Sequence, residues 1–193
     1  MARTLAILLH GVGGTPADMA PLGARLADAR VLALRAAHPF DGGAHGFQWF
    51  SVDGITEENR PARIEAALPV FVDTIRGLQH DHASGPEDTV LIGFSQGAIM
   101  ALAACRDHWL ARRVVAIAGR CAPLPMRWEK RTAVRLVHGT MDGTMPADHS
   151  RRAAARLAGL GADVALELVP RAVHMLSPTM LNAALHATGL ASN

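Results

Sequence analysis

Cysteine is scarce in this chain of 193 residues. There are two, Cys105 and Cys121, with no Cys-x-x-Cys pair and too few for a disulfide framework, which suits a reducing compartment. Long apolar runs are also missing. Leu5–Leu9 is five residues long and stops at His10-Gly11, too short for the centre of a secretory leader, and no stretch reaches bilayer-spanning length. The expectation is a soluble cytoplasmic protein without a membrane span. Nor is there an excess of one charge: 19 Lys and Arg against 17 Asp and Glu leave a formal net charge of +2. Arg112-Arg113 and Arg151-Arg152 are pairs rather than runs. With no basic stripe and no aromatic platform, nucleic acid is excluded as a partner. Repeats, low-complexity tracts and linkers are absent. Hydrophobic residues make up 50% and charged residues 19%, so the chain folds, and its length suits one domain over residues 1–193.

What is present alternates. Apolar runs of strand length occur at residues 4–9, 31–34, 89–94, 114–118, 133–137 and 163–169. Nearly continuous apolarity marks strands buried on both faces of a parallel sheet. Between them lie helical patterns. Thr15-Pro16-Ala17-Asp18 starts one helix, expected to run to about Ala27, with threonine at the N-cap and proline at the first helical position. Asn59-Arg60-Pro61 starts another, in which Ile64, Leu68, Phe71, Val72, Ile75 and Leu78 form one apolar stripe that Pro69 should kink. Residues 96–107, 146–159 and 177–187 are the remaining helices. The pattern predicts an α/β fold, a mostly parallel sheet with helices on both faces. Residues 35–59 read as one long loop carrying Phe47, Trp49 and Phe50, and so long a connection in a compact domain is usually functional.

One stretch carries a reaction. Thr89-Val90-Leu91-Ile92 leads into Gly93-Phe94-Ser95-Gln96-Gly97, and helix-forming residues follow at once. This is Gly-x-Ser-x-Gly between a strand and a helix, the nucleophile elbow, whose serine sits on a sharp turn with its hydroxyl pushed outward. Ligands of such sheets bind at the carboxyl ends of the strands. Three further loops end there: His10-Gly11-Val12-Gly13-Gly14, His138-Gly139-Thr140-Met141-Asp142, and Val169-Pro170-Arg171-Ala172-Val173-His174. The first lacks the third glycine of a dinucleotide fingerprint and the Gly-Lys-Ser/Thr of a phosphate loop. It suits backbone donors aimed at an oxyanion, with the N–H groups of Val12 and Gln96 in that role and His10 holding the loop. Ser95, Asp142 and His174 occur in the order of an α/β-hydrolase triad, nucleophile, acid and base. Asp148 and His149 are weaker candidates, since both fall inside the following helix. His80-Asp81-His82 has a metal-like spacing without a third ligand, so no metal is expected. Trp49, Phe50, Met141, Met145, Met175 and Leu176 lie in these loops and are candidates to line an acyl pocket.

The quoted motifs resemble those of the phospholipase/carboxylesterase family of small α/β-hydrolases, the group of the acyl-protein thioesterases. Leu9-His10-Gly11-Val12-Gly13 is similar to its oxyanion loop, Gly93-Phe94-Ser95-Gln96-Gly97 to its elbow and His138-Gly139-Thr140-Met141-Asp142 to its acid loop. Gln48-Trp49-Phe50-Ser51-Val52 with Gly54-Ile55-Thr56-Glu57-Glu58-Asn59-Arg60 resembles the bacterial YpfH-type esterase branch. The resemblance implies an α/β-hydrolase domain with little or no lid and a serine esterase acting on small-molecule esters without a cofactor. Acyl-protein or acyl-CoA thioesters and lysophospholipids are alternative substrates. A non-catalytic relative that binds a small molecule or partner is the reading from another class. A monomer and a homodimer are equally compatible with the sequence.

Overall fold

Residues 3–190 are described by a computed structural model; the first two and last three residues of the expected domain lie outside them. In chain order the elements are β1 (Leu5–Leu9), α1 (Ala20–Gly23), β2 (Arg30–Leu34), β3 (His38–Pro39), β4 (Phe47–Gln48), α2 (Arg60–Asp81), β5 (Thr89–Phe94), α3 (Gln96–Asp107), β6 (Arg113–Ile117), β7 (Ala133–Gly139), α4 (Asp148–Gly159), β8 (Val164–Val169) and α5 (Pro178–Thr188). Every residue of β1 is apolar and fully buried. Side chains alternate across a strand, and the core divides accordingly. Leu5, Ile7 and Leu9 enter one apolar cluster, Ala6 and Leu8 the other. Leu91 faces the first and Val90 and Ile92 the second; Val114 and Ala116 oppose Val115 and Ile117 in the same way. A sheet apolar on both faces needs helices on both. Residues of α2, α3 and α4 complete the first cluster, and those of α1 and α5 the second.

The six long strands form one parallel sheet in the order β2-β1-β5-β6-β7-β8. β1, β5, β6 and β7 are central, and the loops after β1, β5 and β7, with that after the edge strand β8, carry the chemistry singled out above. Among the described residues no helix is long and apolar enough to cross a membrane.

Two expectations are corrected. The helix expected over residues 15–27 is a 3-10 turn (Pro16–Met19) followed by the single turn of α1. Pro21 has no N–H to continue the ladder, and the segment turns down where Gly23 packs on Leu8 and Val31. The long loop 35–59 contains an antiparallel pair, β3 with β4, and Phe47 also bridges to Gly14. Strands of two residues have no periodicity to read. Pro69 lies inside α2, which runs from Arg60 to Asp81. Smaller boundary differences follow from pairing: β7 runs on through His138 and Gly139 because β8 pairs with it as far as Gly139 and Val169.

Candidate active site

Ser95 sits between β5 and α3 with φ 51° and ψ −114°, a left-handed conformation that costs a non-glycine residue about 1–3 kcal/mol. Its flanking hydrogen bonds enforce it: Ser95 N–H donates to Ile117 O at 2.9 Å, and Ile99 N–H donates to Ser95 O at 3.1 Å. The two glycines are required by close approach. A Cβ at Gly93 would lie 2.5 Å from Ala98 N and Gly97 C, and one at Gly97 would run into the carbonyl oxygens of Leu9 and His10. The expected outcome is that Gly97→Ala sharply lowers the thermal midpoint. Gly77→Ala, at a helical position where a Cβ meets nothing within 4 Å, should instead stabilise by about 0.5–1 kcal/mol. Thermal unfolding of the two variants followed by circular dichroism checks both signs.

The loops after β7 and β8 deliver the other two side chains. They are joined by Thr140 N–H to Val169 O (3.0 Å), Met141 N–H to Ala172 O (2.9 Å) and Arg171 N–H to Thr140 Oγ1 (2.9 Å). His174 Nδ1 lies 2.7 Å from Asp142 Oδ2, and His174 Nε2 lies 3.0 Å from Ser95 Oγ. A carboxylate only accepts, so Nδ1 carries the proton and Nε2 is left to accept from the serine hydroxyl. Phe94, next to the serine in the elbow, packs its ring 5.0 Å from the His174 ring. Asp142 is buried. Its Oδ1 accepts the N–H groups of Thr144 (3.0 Å) and Met145 (2.7 Å), which orients the carboxylate independently of the histidine. Asp148, the weaker acid candidate, points outward and pairs with Arg152.

Two buried histidines brace the loops. His10 Nδ1 is 2.7 Å from Gly11 O, and its Nε2 accepts from Ala36 N–H at 3.1 Å. His138 Nε2 is 2.7 Å from Met145 O and 3.3 Å from Asp142 Oδ2, and its Nδ1 is 2.6 Å from Ser150 Oγ. Burial holds both imidazoles below their ordinary pKa, so both are neutral. The unfolded chain takes up these protons near the ordinary histidine value of about 6.5, whereas the folded protein resists until a lower pH. Their contribution to stability is complete above that value and is lost as pH falls below it. The thermal midpoint should drop between about pH 7.5 and pH 5, and the drop should shrink in His138→Gln.

Gln96 does more than begin α3. Its side-chain Oε1 accepts Trp49 N–H at 2.8 Å, and its Nε2 donates to Phe50 O at 2.7 Å. Trp49 Nε1–H donates to His10 O at 2.8 Å. The elbow, the loop after β1 and the aromatic segment are thus tied together beside the serine. As the first residue of α3, Gln96 has an N–H without an intrahelical acceptor, at the positive end of the helix dipole. Gly13 and Gly14 N–H donate to Phe47 O and Gly11 O. Val12 and Gln96 line one cavity with Ser95.

That cavity, about 320 Å³, is also lined by Phe50, Ile99 and Met145 and by the polar Glu57, Arg60, Arg120 and His149. A second cavity, about 520 Å³, is lined by Val12, Phe94, His174, Met175 and Leu176. Of the six candidate pocket residues, Phe50 and Met145 therefore border the first and Met175 and Leu176 the second. Trp49 borders neither: its ring packs against His10 and Phe71, and with Phe50 it lines a separate cavity of about 560 Å³. Met141 is exposed and borders neither. The charged residues were missed by sequence reading, though Glu57 and Arg60 belong to the stretch quoted for the bacterial branch. Burial pushes the Cys105 thiol up to about 12, so it is no competing nucleophile.

Residues 1–190 match the family described as Phospholipase/Carboxylesterase. The chain is 40% identical over 189 residues to Esterase YpfH of Escherichia coli (strain K12), covering 95% of this chain and 81% of that protein. The crystal structure of esterase PE8 superposes with a TM-score of 0.88 at 29% identity, covering 99% of this chain and 94% of that one. The Bacillus cereus carboxylesterase, at 20% identity, shares the fold with a TM-score of 0.82 over 97% of this chain and 89% of that one.

Proposed function

The chain belongs to the phospholipase/carboxylesterase family, and on that premise we propose that it is a cytoplasmic serine carboxylesterase that cleaves short- to medium-chain esters through an acyl-enzyme. The observation that carries the reading is the continuous relay from Ser95 Oγ through His174 to Asp142, with steps of 3.0 and 2.7 Å. Ser95 Oγ attacks the ester carbonyl as His174 Nε2 takes its proton. The N–H groups of Val12 and Gln96 receive the developing oxyanion, each such donor contributing about 3–4 kcal/mol to the barrier reduction. His174 then protonates the departing alkoxide, and Asp142 stabilises the imidazolium throughout. Water, deprotonated by His174, hydrolyses the acyl-enzyme in the second half. The group that His174 protonates must leave on its side, which assigns the cavity with Met175 and Leu176 to the alcohol. The acyl group takes the cavity with Gln96 and Ile99.

The charged end of the acyl cavity bears on chain length. A long alkyl chain reaching it would strip water from Glu57, Arg60 and Arg120 without replacing their hydrogen bonds, which is costly. Activity on nitrophenyl esters should therefore peak at short to medium acyl lengths and exceed that on a palmitoyl thioester. A steady rise of kcat/KM with chain length would overturn the chain-length part of the proposal.

A further inference from the structure

The acyl cavity has two unlike ends. Near the nucleophile it is bordered by Ile99, one turn along α3 from Ser95, and by Phe50. Away from it, Glu57, Arg120 and His149 also border an adjoining outer cavity of about 180 Å³ that does not touch Ser95, so these residues form the partition between the two. Arg60, the first residue of α2, lines the inner side.

This partition is short of negative charge. Arg120 directs both Nη groups at the two oxygens of Glu57, and Arg60 Nη2 donates to the same carboxylate at 3.2 Å. One carboxylate thus serves two guanidiniums, each with five N–H donors. Among the described residues the Nε groups of both Arg60 and Arg120 are buried without an acceptor, and both side chains are largely buried, at 18% and 13% exposure, while Glu57 is 65% exposed. His149 adds no compensation. Its Nδ1 lies 3.0 Å from an Arg152 N–H, and burial together with Arg120 keeps it neutral. The amino-terminal ends of α2 and α4 reach the cavity through Arg60 and His149, and their dipoles add to the positive potential. Two largely buried guanidiniums that share one exposed carboxylate, and that each keep a buried Nε unpaired among the described residues, are placed to take a further anion.

We propose that the acyl group accepted by Ser95 carries a carboxylate at its far end, so that the substrates are half-esters of short dicarboxylic acids whose free carboxylate is held by Arg60 and Arg120. The proposal rests on the hydrolase reading above and narrows it. The chemistry is that of any ester: the Ser95 Oγ–acyl bond forms as the alkoxy C–O bond breaks, and the serine proton passes through His174 to the alcohol. Water then releases the dicarboxylate and regenerates the serine. The charged end selects the acid and takes no part in bond making. An apolar stem between the serine and the arginines matches the collar of Phe50 and Ile99.

The test compares monomethyl glutarate with its neutral isostere, in which an isopropyl group replaces the carboxylate, product acids being followed by proton NMR. The wild-type protein should favour the charged ester in kcat/KM by about tenfold or more, the discrimination a charge-assisted contact supplies. The preference should weaken as salt rises. Arg60→Gln should remove most of it and Arg60→Lys should retain part, in variants shown to be folded by their thermal midpoints. Free glutarate should also inhibit the wild-type protein competitively, a readout independent of any variant. Equal or faster turnover of the neutral ester by wild-type protein, or an unchanged ratio in folded Arg60→Gln, overturns the proposal and leaves the esterase reading intact. Turnover of neither ester overturns it too. A fluorophosphonate probe then separates the readings: without labelling of Ser95, the hydrolase assignment fails as well.

Discussion

Ser95→Ala should lower kcat by roughly a millionfold, as loss of the nucleophile does where serine, histidine and acid act as a unit. The change removes a single atom. Ser95 is 7% exposed, its backbone hydrogen bonds to Ile117 and from Ile99 do not involve the hydroxyl, and alanine meets the same strain at φ 51°. The fold should therefore survive, with a thermal midpoint within a few degrees of wild type. What remains in the site is Val12 and Gln96 N–H and the two cavities, so residual activity should stay above the uncatalysed rate by about 10³–10⁴. Turnover of a nitrophenyl ester and covalent labelling by a fluorophosphonate read the two sides of the claim. Equal labelling of wild type and variant would remove Ser95 as the nucleophile.

Asp142→Asn should cost kcat about 10⁴-fold, through a mechanism that the surroundings of the carboxylate make specific. Oδ1 accepts two backbone N–H groups, those of Thr144 and Met145. Those donors need an oxygen there, so the amide of the variant must turn its NH₂ toward His174. A donor at that position forces His174 Nδ1 to become an acceptor and moves the ring proton to Nε2, facing Ser95. A histidine protonated at Nε2 cannot take the serine proton. The same NH₂ confronts His138 Nε2, which lies 3.3 Å from that oxygen in the native protein, so some loss of stability is expected alongside. Nitrogen-15 chemical shifts of His174 report the tautomer directly. A variant that keeps wild-type kcat, or keeps the proton at Nδ1, would refute the orienting role of Asp142.

Much of the architecture is written locally. β1, β5 and β6 are legible because both of their faces are buried, which forces continuous apolarity. The elbow is legible because Gly93 and Gly97 face backbone atoms that no Cβ can approach, leaving a pattern of glycines at fixed spacing. α1 is shorter than its sequence suggests for a tertiary reason, since Gly23 is fitted against Leu8 and Val31, residues outside its own segment. Trp49 is a candidate pocket residue because its loop is long and aromatic. Its indole instead donates to His10 O and packs on Phe71, which depends on the direction the loop takes.

The sequence by itself determined the alternation of strands and helices and the family, and it pointed to a serine, an acid and a histidine after β5, β7 and β8 as candidates. These depend on periodicity, on close backbone approach and on chain order, each of which constrains residue type at a position or over a few neighbours. Only the tertiary structure decided how far apart those three side chains stand, that the Gln96 amide ties Trp49 and Phe50 to the elbow, and that Glu57, Arg60, Arg120 and His149 meet at the end of one cavity. Glu57 and Arg120 are 63 positions apart. Nothing in either local stretch requires the other, because an ion pair between loops is specified by how the sheet brings the loops together.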